Sequence, residues 1–176
     1  MPMNISEAIA AIKAGPNDIT LYPGAPQALI EEFQAKTGIT LPSDLATFYQ
    51  ECNGFESAED LFRIVPLDEI LDRIEHDRTH RAIQPNQFYI AEYLIYCDMW
   101  KVKVDWSFPN HYKIDGGPGV GGEPEIVLTH SFAEFISVFL TGGVFEDNGL
   151  YKWEEQIRRG ASNADCLTGS PARTPQ

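Results

Sequence analysis

Residues 39–55 constrain the fold more than any other stretch, because they carry the signals for beginning, burying and ending one helix. Pro42 suits a first helical position, where its missing N–H would have no partner. Asp44 puts negative charge where the helix dipole favours it. The apolar residues recur at helical spacing and form one stripe: Leu41, Leu45, Phe48, Tyr49 and Cys52. Asn53-Gly54 is typical of the left-handed turn that ends a helix. The stretch predicts a buried helix with Phe48 in the core.

The same stretch reads I-x-L-P-x-D-L-x-x-F-Y-x-x-x-N-G and resembles the signature of the SUKH superfamily. This superfamily includes the Smi/Knr cell-wall assembly regulators of fungi and many bacterial immunity proteins. Three later stretches resemble the family pattern in the same order: residues 61–70, 88–92 and 130–136. The resemblance covers residues 26–140 and implies a SUKH-like domain. It implies little about either end of the chain.

Composition places the chain among ordinary globular proteins. The 176 residues, of which 43% are hydrophobic, predict one main domain. No apolar run approaches the ~20 residues of a membrane span, and the first residues lack the basic and apolar blocks of a secretory signal. Cys52, Cys97 and Cys166 are odd in number and show no paired spacing, which favours a reducing compartment. We therefore expect a cytoplasmic protein.

The net charge of −13 is concentrated in one segment. Residues 31–77 contain twelve carboxylates and only three basic side chains. Such a field repels phosphate backbones and speeds encounter with a basic partner, so direct nucleic-acid binding is not expected. No membrane partner is expected either, because no apolar run is long enough to span one. The alternative reading is that the acidic surface only keeps the protein soluble.

Helix signals dominate the first half of the chain. Residues 5–12 share an apolar face that Gly15-Pro16 ends, and residues 21–25 look like a turn-rich linker. Pro26 begins a helix that ends at Gly38. Pro66 separates a strand at residues 61–65 from another helix. We divide the chain into an N-terminal helix and linker (1–25), a SUKH-like domain (26–159) and a disordered tail (160–176).

Strand signals dominate from residue 88 to residue 128. The candidates are residues 88–92, 94–97, 100–106, 112–114 and 126–128. Their close spacing favours an antiparallel meander. Ser131 and Glu134 form a capping-box pattern that begins a helix, and residues 150–159 predict one more. The fold class is therefore α+β, an antiparallel sheet of four to six strands with N-terminal helices and a C-terminal helix packed on it.

Several motifs suggest chemistry but lack the context it requires. Residues 117–122 contain G-x-G-x-x-G, but acidic residues and a strand follow instead of a helix, so no dinucleotide cofactor is expected. His76 and His80 have the i, i+4 spacing of metal ligands, but no Glu follows His76 and Asp72 would have to supply a third ligand, so no metal is expected. No nucleophile motif is present. We read Trp100, Trp106, Phe108 and Tyr112 as core residues or cross-strand pairs rather than as a ligand platform.

The first functional hypothesis is a non-enzymatic immunity protein that occludes a cognate, basic nuclease toxin, as the resemblance implies. A regulatory scaffold of the cell-wall type is the second hypothesis, and a small enzyme is the remote third. Partner contacts are expected from carboxylates on loops: Glu56, Glu59, Asp60, Asp98, Glu123 and Glu125. The sequence does not identify the partner or the oligomeric state.

Overall fold

A computed structural model describes residues 3–15, 18–81, 83–117 and 124–168, and the side chains of these residues through residue 161. Seven strands form one antiparallel sheet in which each strand pairs with the next along the chain. The elements are α1 (Ile5–Ala14), β1 (Ile19–Pro23), α2 (Gln27–Thr37), α3 (Ser43–Glu51), β2 (Cys52–Ser57), β3 (Phe62–Ile64), α4 (Leu67–His80), β4 (Gln87–Tyr93), β5 (Asp98–Val104), β6 (Tyr112–Gly116), β7 (Ile126–Thr129), α5 (Phe132–Gly142) and α6 (Leu150–Thr168). The predicted α+β class is confirmed, with seven strands instead of four to six.

Several predicted helix boundaries are confirmed. Helix α2 follows Pro26 and ends at Gly38, whose φ of 74° is left-handed. Helix α4 follows Pro66. The Ser131 hydroxyl accepts a hydrogen bond from the Glu134 N–H at 3.2 Å. The Glu134 carboxylate accepts from the Thr129 hydroxyl, so only half of the predicted capping box forms.

Helix α3 is shorter than its sequence pattern predicts. It ends at Glu51, and Cys52 is already extended with a φ of −155°. The prediction that Asn53-Gly54 ends the helix is wrong, because both residues lie in β2. A Cβ on Gly54 would lie 2.4 Å from the Ile64 carbonyl oxygen, so glycine is needed for the close approach of two strands.

Two further segments differ from the prediction. Residues 21–25 do not form a linker, because Ile19–Pro23 is a strand that pairs with β2 at the edge of the sheet. An edge strand tolerates the proline that suggested a turn. Residues 94–97 are not a strand. Tyr93 pairs directly with Asp98, so the chain must reverse between these two residues.

Aromatic packing joins the sheet to α3 and α5. Phe48 is fully buried, as predicted, and its ring meets that of Phe132 at 4.9 Å. The Phe62 ring on β3 stacks on Phe139 of α5 at 4.2 Å and lies 5.6 Å from Trp100 on β5. Edge-to-face and stacked rings add to the burial energy of these side chains. These ring contacts pack the central strands β3 and β5 against α5.

The C-terminal helix extends past the predicted boundary at Arg159, because α6 continues to Thr168. The rest of the predicted tail lies outside the described residues. None of the helices in the described part of the chain combines the length and the apolar composition that a membrane crossing requires.

Candidate functional site

One end of the sheet exposes a group of large apolar side chains. We call it the turn end, because the β2–β3 turn (residues 58–61) and the β4–β5 turn (residues 94–97) meet there. The Leu94 N–H donates to the Leu61 carbonyl at 2.9 Å, which joins the two turns. Leu61 is 53% exposed and Ile95 is 83% exposed. Exposed apolar groups at adjoining turns are typical of an interaction surface.

The β4–β5 turn has a strained backbone. Leu94, Ile95 and Tyr96 have successive φ values of 48°, 50° and 63°. A positive φ is unfavourable for non-glycine residues and most unusual for a β-branched side chain such as that of Ile95. Each such residue costs on the order of 1–3 kcal/mol and persists only where the surroundings fix it. Strain of this kind clusters at binding sites and switches.

An ion cluster beneath the turn fixes Tyr96. The Arg63 guanidinium donates to Glu69 at 2.7 Å and to the Tyr96 hydroxyl at 2.8 Å, and its Nε donates to Glu92 Oε1. The Arg73 guanidinium lies 3.3 Å from the centre of the Tyr96 ring. The turn is therefore anchored by Tyr96 and leaves Ile95 in solvent.

Burial and charge act together on the acid–base groups of this cluster. Burial raises the pKa of Tyr96, and its hydrogen bond to the Glu69 carboxylate adds to the effect, giving a pKa of about 12. Burial also raises the pKa of Glu69, but hydrogen bonds from Arg63 and Tyr96 outweigh burial and leave it below its usual value. Tyr96 therefore stays neutral and Glu69 charged at neutral pH.

A cavity of about 410 Å³ opens between the two turns. Its lining combines apolar side chains with one cation and two carboxylates: Glu56, Ser57, Ala58, Leu61, Phe62, Arg63, Glu92, Leu94 and Ile95. Glu92 is only 3% exposed. The sequence analysis did not select Arg63, Glu92 or Ile95. In the sequence, this turn shows only as an apolar run at residues 94–97. The pairing of β4 with β5 is what requires the chain to reverse there.

Three of the carboxylates predicted to contact a partner lie at the turn end. Glu56 is exposed but lies on β2 rather than on a loop, and its Oε2 accepts from the Tyr22 hydroxyl at 2.9 Å. Glu59 is exposed within the β2–β3 turn. Asp60 is partly buried, and its Oδ1 accepts from the Val144 N–H at 3.2 Å. Glu56 and Glu59 are therefore available to a partner, whereas Asp60 holds the turn against the segment after α5.

Two of the other three predicted carboxylates, Asp98 and Glu125, have contacts of their own within the chain. Asp98 begins β5, and its Oδ1 accepts from the Met99 N–H at 3.0 Å. Burial, assisted by a hydrogen bond to Asp98, raises the pKa of Tyr151. Glu125 is exposed and pairs with Lys101 at 2.5 Å. Glu123 lies outside the described residues. Partner binding by these residues stays a prediction.

A second group of carboxylates lies on helices. Helix α2 packs against α4, and the exposed acidic side chains of the pair are Glu31, Glu32, Asp68, Asp72 and Glu75. The Glu32 carboxylate forms an ion pair with Lys36 at 2.6 Å. Much of the charge of residues 31–77 therefore lies on helix surfaces, where the loop-based prediction did not place it.

The opposite end of the sheet exposes aromatic side chains. We call it the loop end, after the β5–β6 loop (residues 105–111). Trp106 is 63% exposed and Phe108 is also exposed, whereas Trp100 and Tyr112 are buried. The interpretation as core residues is therefore confirmed for Trp100 and Tyr112 and wrong for Trp106 and Phe108. Trp106 lines two open cavities of about 600 Å³ and about 360 Å³.

Hydrogen bonds account for the shape of the loop end. Asn110 has a φ of 64°, which asparagine tolerates, and its Oδ1 accepts from the Ser43 N–H at 2.8 Å. The loop thereby satisfies a free donor in the first turn of α3. The Asp105 carboxylate accepts from the Ser107 N–H at 2.8 Å. The exposed rings therefore lie on a loop with a structural role.

The weaker motifs form no further site among the described residues. The His76 and His80 rings stack at 4.4 Å, and the described part of the chain has no cluster of three potential metal ligands. Residues 118–123 of the glycine-rich motif lie outside the described residues. Strands β6 and β7 flank the motif, as predicted, so no helix follows it as a dinucleotide site requires.

The architecture is an α+β domain with one antiparallel meander and exposed apolar side chains at the turn end. Residues 24–147 match the model of the SMI1 / KNR4 family (SUKH-1). Because the match covers most of the chain, the chain belongs to this family. The matched part includes both ends of the central strands and leaves out α1, β1 and α6. Comparison with curated proteins gives no match.

Proposed function

We propose that the chain is an intracellular immunity protein, a non-enzymatic domain that neutralises a cognate nuclease toxin by covering the toxin's basic surface. Family membership supports a SUKH-type role, and the turn end supports protein binding. The observation that carries the proposal is the strained, exposed Ile95 at the same end of the sheet as the carboxylates Glu56 and Glu59. An apolar centre with a charged rim is the usual anatomy of a protein interface.

Charge and apolar contact have different tasks in this mechanism. Nucleic-acid-binding surfaces are basic because they neutralise phosphates, so an acidic inhibitor is steered toward them by long-range attraction. Affinity then comes from a few buried anchors at the centre of the contact. Ile95, Leu61 and Leu94 are the anchors that the turn end offers. A bound inhibitor would exclude the nucleic acid by occupying the same surface.

The test is co-expression with a candidate toxin domain encoded next to the gene of this chain. We expect the wild-type chain to restore growth, and the purified pair to form a complex of equal stoichiometry that no longer cleaves nucleic acid. The matched variant Ile95→Asp leaves the core untouched and should restore growth poorly. A chain that binds a non-toxic neighbour and gives no protection would instead support the regulatory scaffold.

A further inference from the structure

Glu92 has one carboxylate oxygen that no described residue satisfies. Its Oε1 accepts from Arg63 Nε, while its Oε2 is buried and accepts no hydrogen bond from the described residues. Glu92 also lines the turn-end cavity. A buried charged acceptor without a donor is costly, and supplying a charged donor recovers that free energy. That oxygen has almost no accessible surface, so an incoming cation reaches it only by displacing a side chain that lines the cavity.

The surrounding charges leave negative charge in excess. Glu56, Arg63 and Glu92 lie directly opposite one another on β2, β3 and β4, so they share the outer face of the sheet. Glu69 also binds the Arg63 guanidinium, at 2.7 Å. Arg73 adds a second cation on the Glu69 side of the cluster, so three carboxylates face two guanidinium groups. A further cation would be attracted to the cavity, and a further anion would be repelled.

The apolar part of the lining gives the ligand its shape. Leu61, Leu94 and Ile95 supply much of the apolar lining, and the volume of about 410 Å³ leaves room for one long side chain. Lysine and arginine bury their aliphatic stems along such walls and leave the charged head for a polar partner. The cavity therefore combines a surface for a stem with an acceptor for a cationic head.

The free oxygens favour lysine over arginine. An arginine fork pairs best with both oxygens of one carboxylate. Glu92 Oε1 is already held by Arg63, and Glu56 Oε2 accepts from the Tyr22 hydroxyl at 2.9 Å. Each of these two carboxylates thus has one oxygen left. A lysine ammonium is a compact charge that binds single oxygens.

We propose that the turn-end cavity binds one lysine side chain of the partner, with the ammonium at Glu92 Oε2 and the stem against Leu61, Leu94 and Ile95. The inference rests on the proposed function in so far as the lysine belongs to a basic partner. It adds the chemistry by which the turn end recognises that partner. The lysine is a buried anchor, whereas Glu59 outside the cavity acts only at the rim.

The probe is N-acetyl-lysine amide, titrated into the full-length protein and followed by the backbone amide signals of Leu61, Leu94 and Ile95. We expect saturable shifts in the millimolar range, as for a ligand of this size with few contacts. The norleucine amide, which has the stem without the ammonium, should bind at least about tenfold more weakly. Equal binding of the two amides would overturn the proposal. Tighter binding of the arginine amide would overturn the choice of lysine.

Two variants test the two parts of the cavity. Glu92→Gln keeps an acceptor for Arg63 and removes the charge, so lysine amide should bind it about as weakly as norleucine amide. Ile95→Ser shortens the wall and should weaken both amides. Glu59→Gln is the matched control, and its affinity for lysine amide should equal that of the wild type. Unchanged lysine-amide binding by a folded Glu92→Gln protein would contradict the assignment.

This titration and the co-expression test fail independently. A chain that protects against the toxin but does not bind lysine amide would refute only the cavity assignment. A chain that binds lysine amide through Glu92 but protects against no toxin would refute the immunity function and leave the cavity standing. Should Glu92→Gln unfold, Glu56→Gln replaces it, because Glu56 is exposed and also lines the cavity.

Discussion

The turn end and the loop end of the sheet both expose large apolar side chains, but only the loop end has a structural reason to do so. At the loop end, the left-handed residue is Asn110, and its side chain satisfies the first turn of α3. At the turn end, the left-handed residues include Ile95, which is exposed and strained. Exposure combined with strain, rather than exposure alone, therefore separates a candidate interface from a structural loop.

The two ends of the sheet also differ in the charges that line their cavities. The larger loop-end cavity is lined by Lys103 and Lys113, which lie directly opposite each other on β5 and β6, and by one carboxylate, Asp105. The turn-end cavity is lined by Glu56 and Glu92 around Arg63. A basic partner is therefore attracted to the turn end and repelled by the loop end. The following predictions test that difference, beginning with the change that affects both ends.

Phe48→Ala should lower the free energy of unfolding by about 3–5 kcal/mol, because a fully buried ring leaves a cavity in the core. The ring packs against Phe132 of α5 and supports the whole sheet. Chemical denaturation measures the effect, and binding at both ends should fall together as the protein unfolds. A loss below about 1 kcal/mol would contradict the burial of this side chain.

Reversing Glu56 and Glu59 to lysine should slow association with a basic partner about tenfold at low salt and flatten the salt dependence, because exposed charges mainly set the association rate. The Asp60 carboxylate is left unchanged, since it accepts the Val144 N–H. Stopped-flow kinetics with the toxin domain measures the rate. Reversal of Glu31 and Glu32 on α2 is the matched control. An equal slowing by that control would assign steering to the helical carboxylates.

Ile95→Asn should raise the free energy of unfolding by about 1 kcal/mol, because asparagine tolerates the left-handed conformation that strains a β-branched residue. The same change removes an apolar anchor and should weaken partner binding. Gain of stability with loss of binding is the expected pattern where strain serves a function. Denaturation and titration calorimetry on one preparation measure both quantities. Unchanged binding would remove Ile95 from the interface.

Glu69→Gln should change how stability depends on pH. The Glu69 pKa is lower in the folded protein than the ~4.3 of an unfolded glutamate, so its charge stabilises the fold above that pH. This contribution is lost as the pH falls through the folded pKa. The stability difference between the wild type and Glu69→Gln should therefore hold from pH 7 to about pH 5 and close below about pH 4.

The control for this experiment is Glu59→Gln, which removes an exposed carboxylate that has no ion pair among the described residues. Its stability should stay close to that of the wild type throughout. Denaturation at several pH values measures both variants. If the Glu69→Gln difference did not change with pH, the ion cluster would not fix the turn through its charge.

Much of the fold could be predicted because its signals are local. Gly38, Pro66 and Ser131 begin or end helices through their own conformation or hydrogen bonds, and the sequence displays them directly. The turn at residues 94–97 is different, because only the pairing of Tyr93 with Asp98 requires it. The prediction that Asn53-Gly54 ends a helix was wrong for a related reason. In a sequence, a glycine that ends a helix cannot be distinguished from one that allows two strands to approach closely.

The candidate site was harder to predict than the fold. Glu56 and Glu59 drew attention through their charge, but charge alone does not reveal which carboxylates face a cavity. Glu92 is the one acidic residue of a mostly apolar strand, and the missing hydrogen-bond partner of its Oε2 depends on what β3 and α4 bring beside it. The burial of a side chain and the lack of a hydrogen-bond donor for an acceptor depend on tertiary contacts, so they could not be predicted from this single sequence.

Trp106→Ala should have the smallest effect. Its side chain is 63% exposed, so its loss should change the free energy of unfolding by less than about 0.5 kcal/mol. Trp106 lies beyond Val104, whereas the turn end lies before Asp98, and the length of β5 separates them by about 20 Å. Association with the basic partner should therefore be unchanged, as stopped-flow kinetics would measure. If Trp106→Ala associated more slowly while the Glu56 and Glu59 reversal associated normally, the interface would be assigned to the loop end instead.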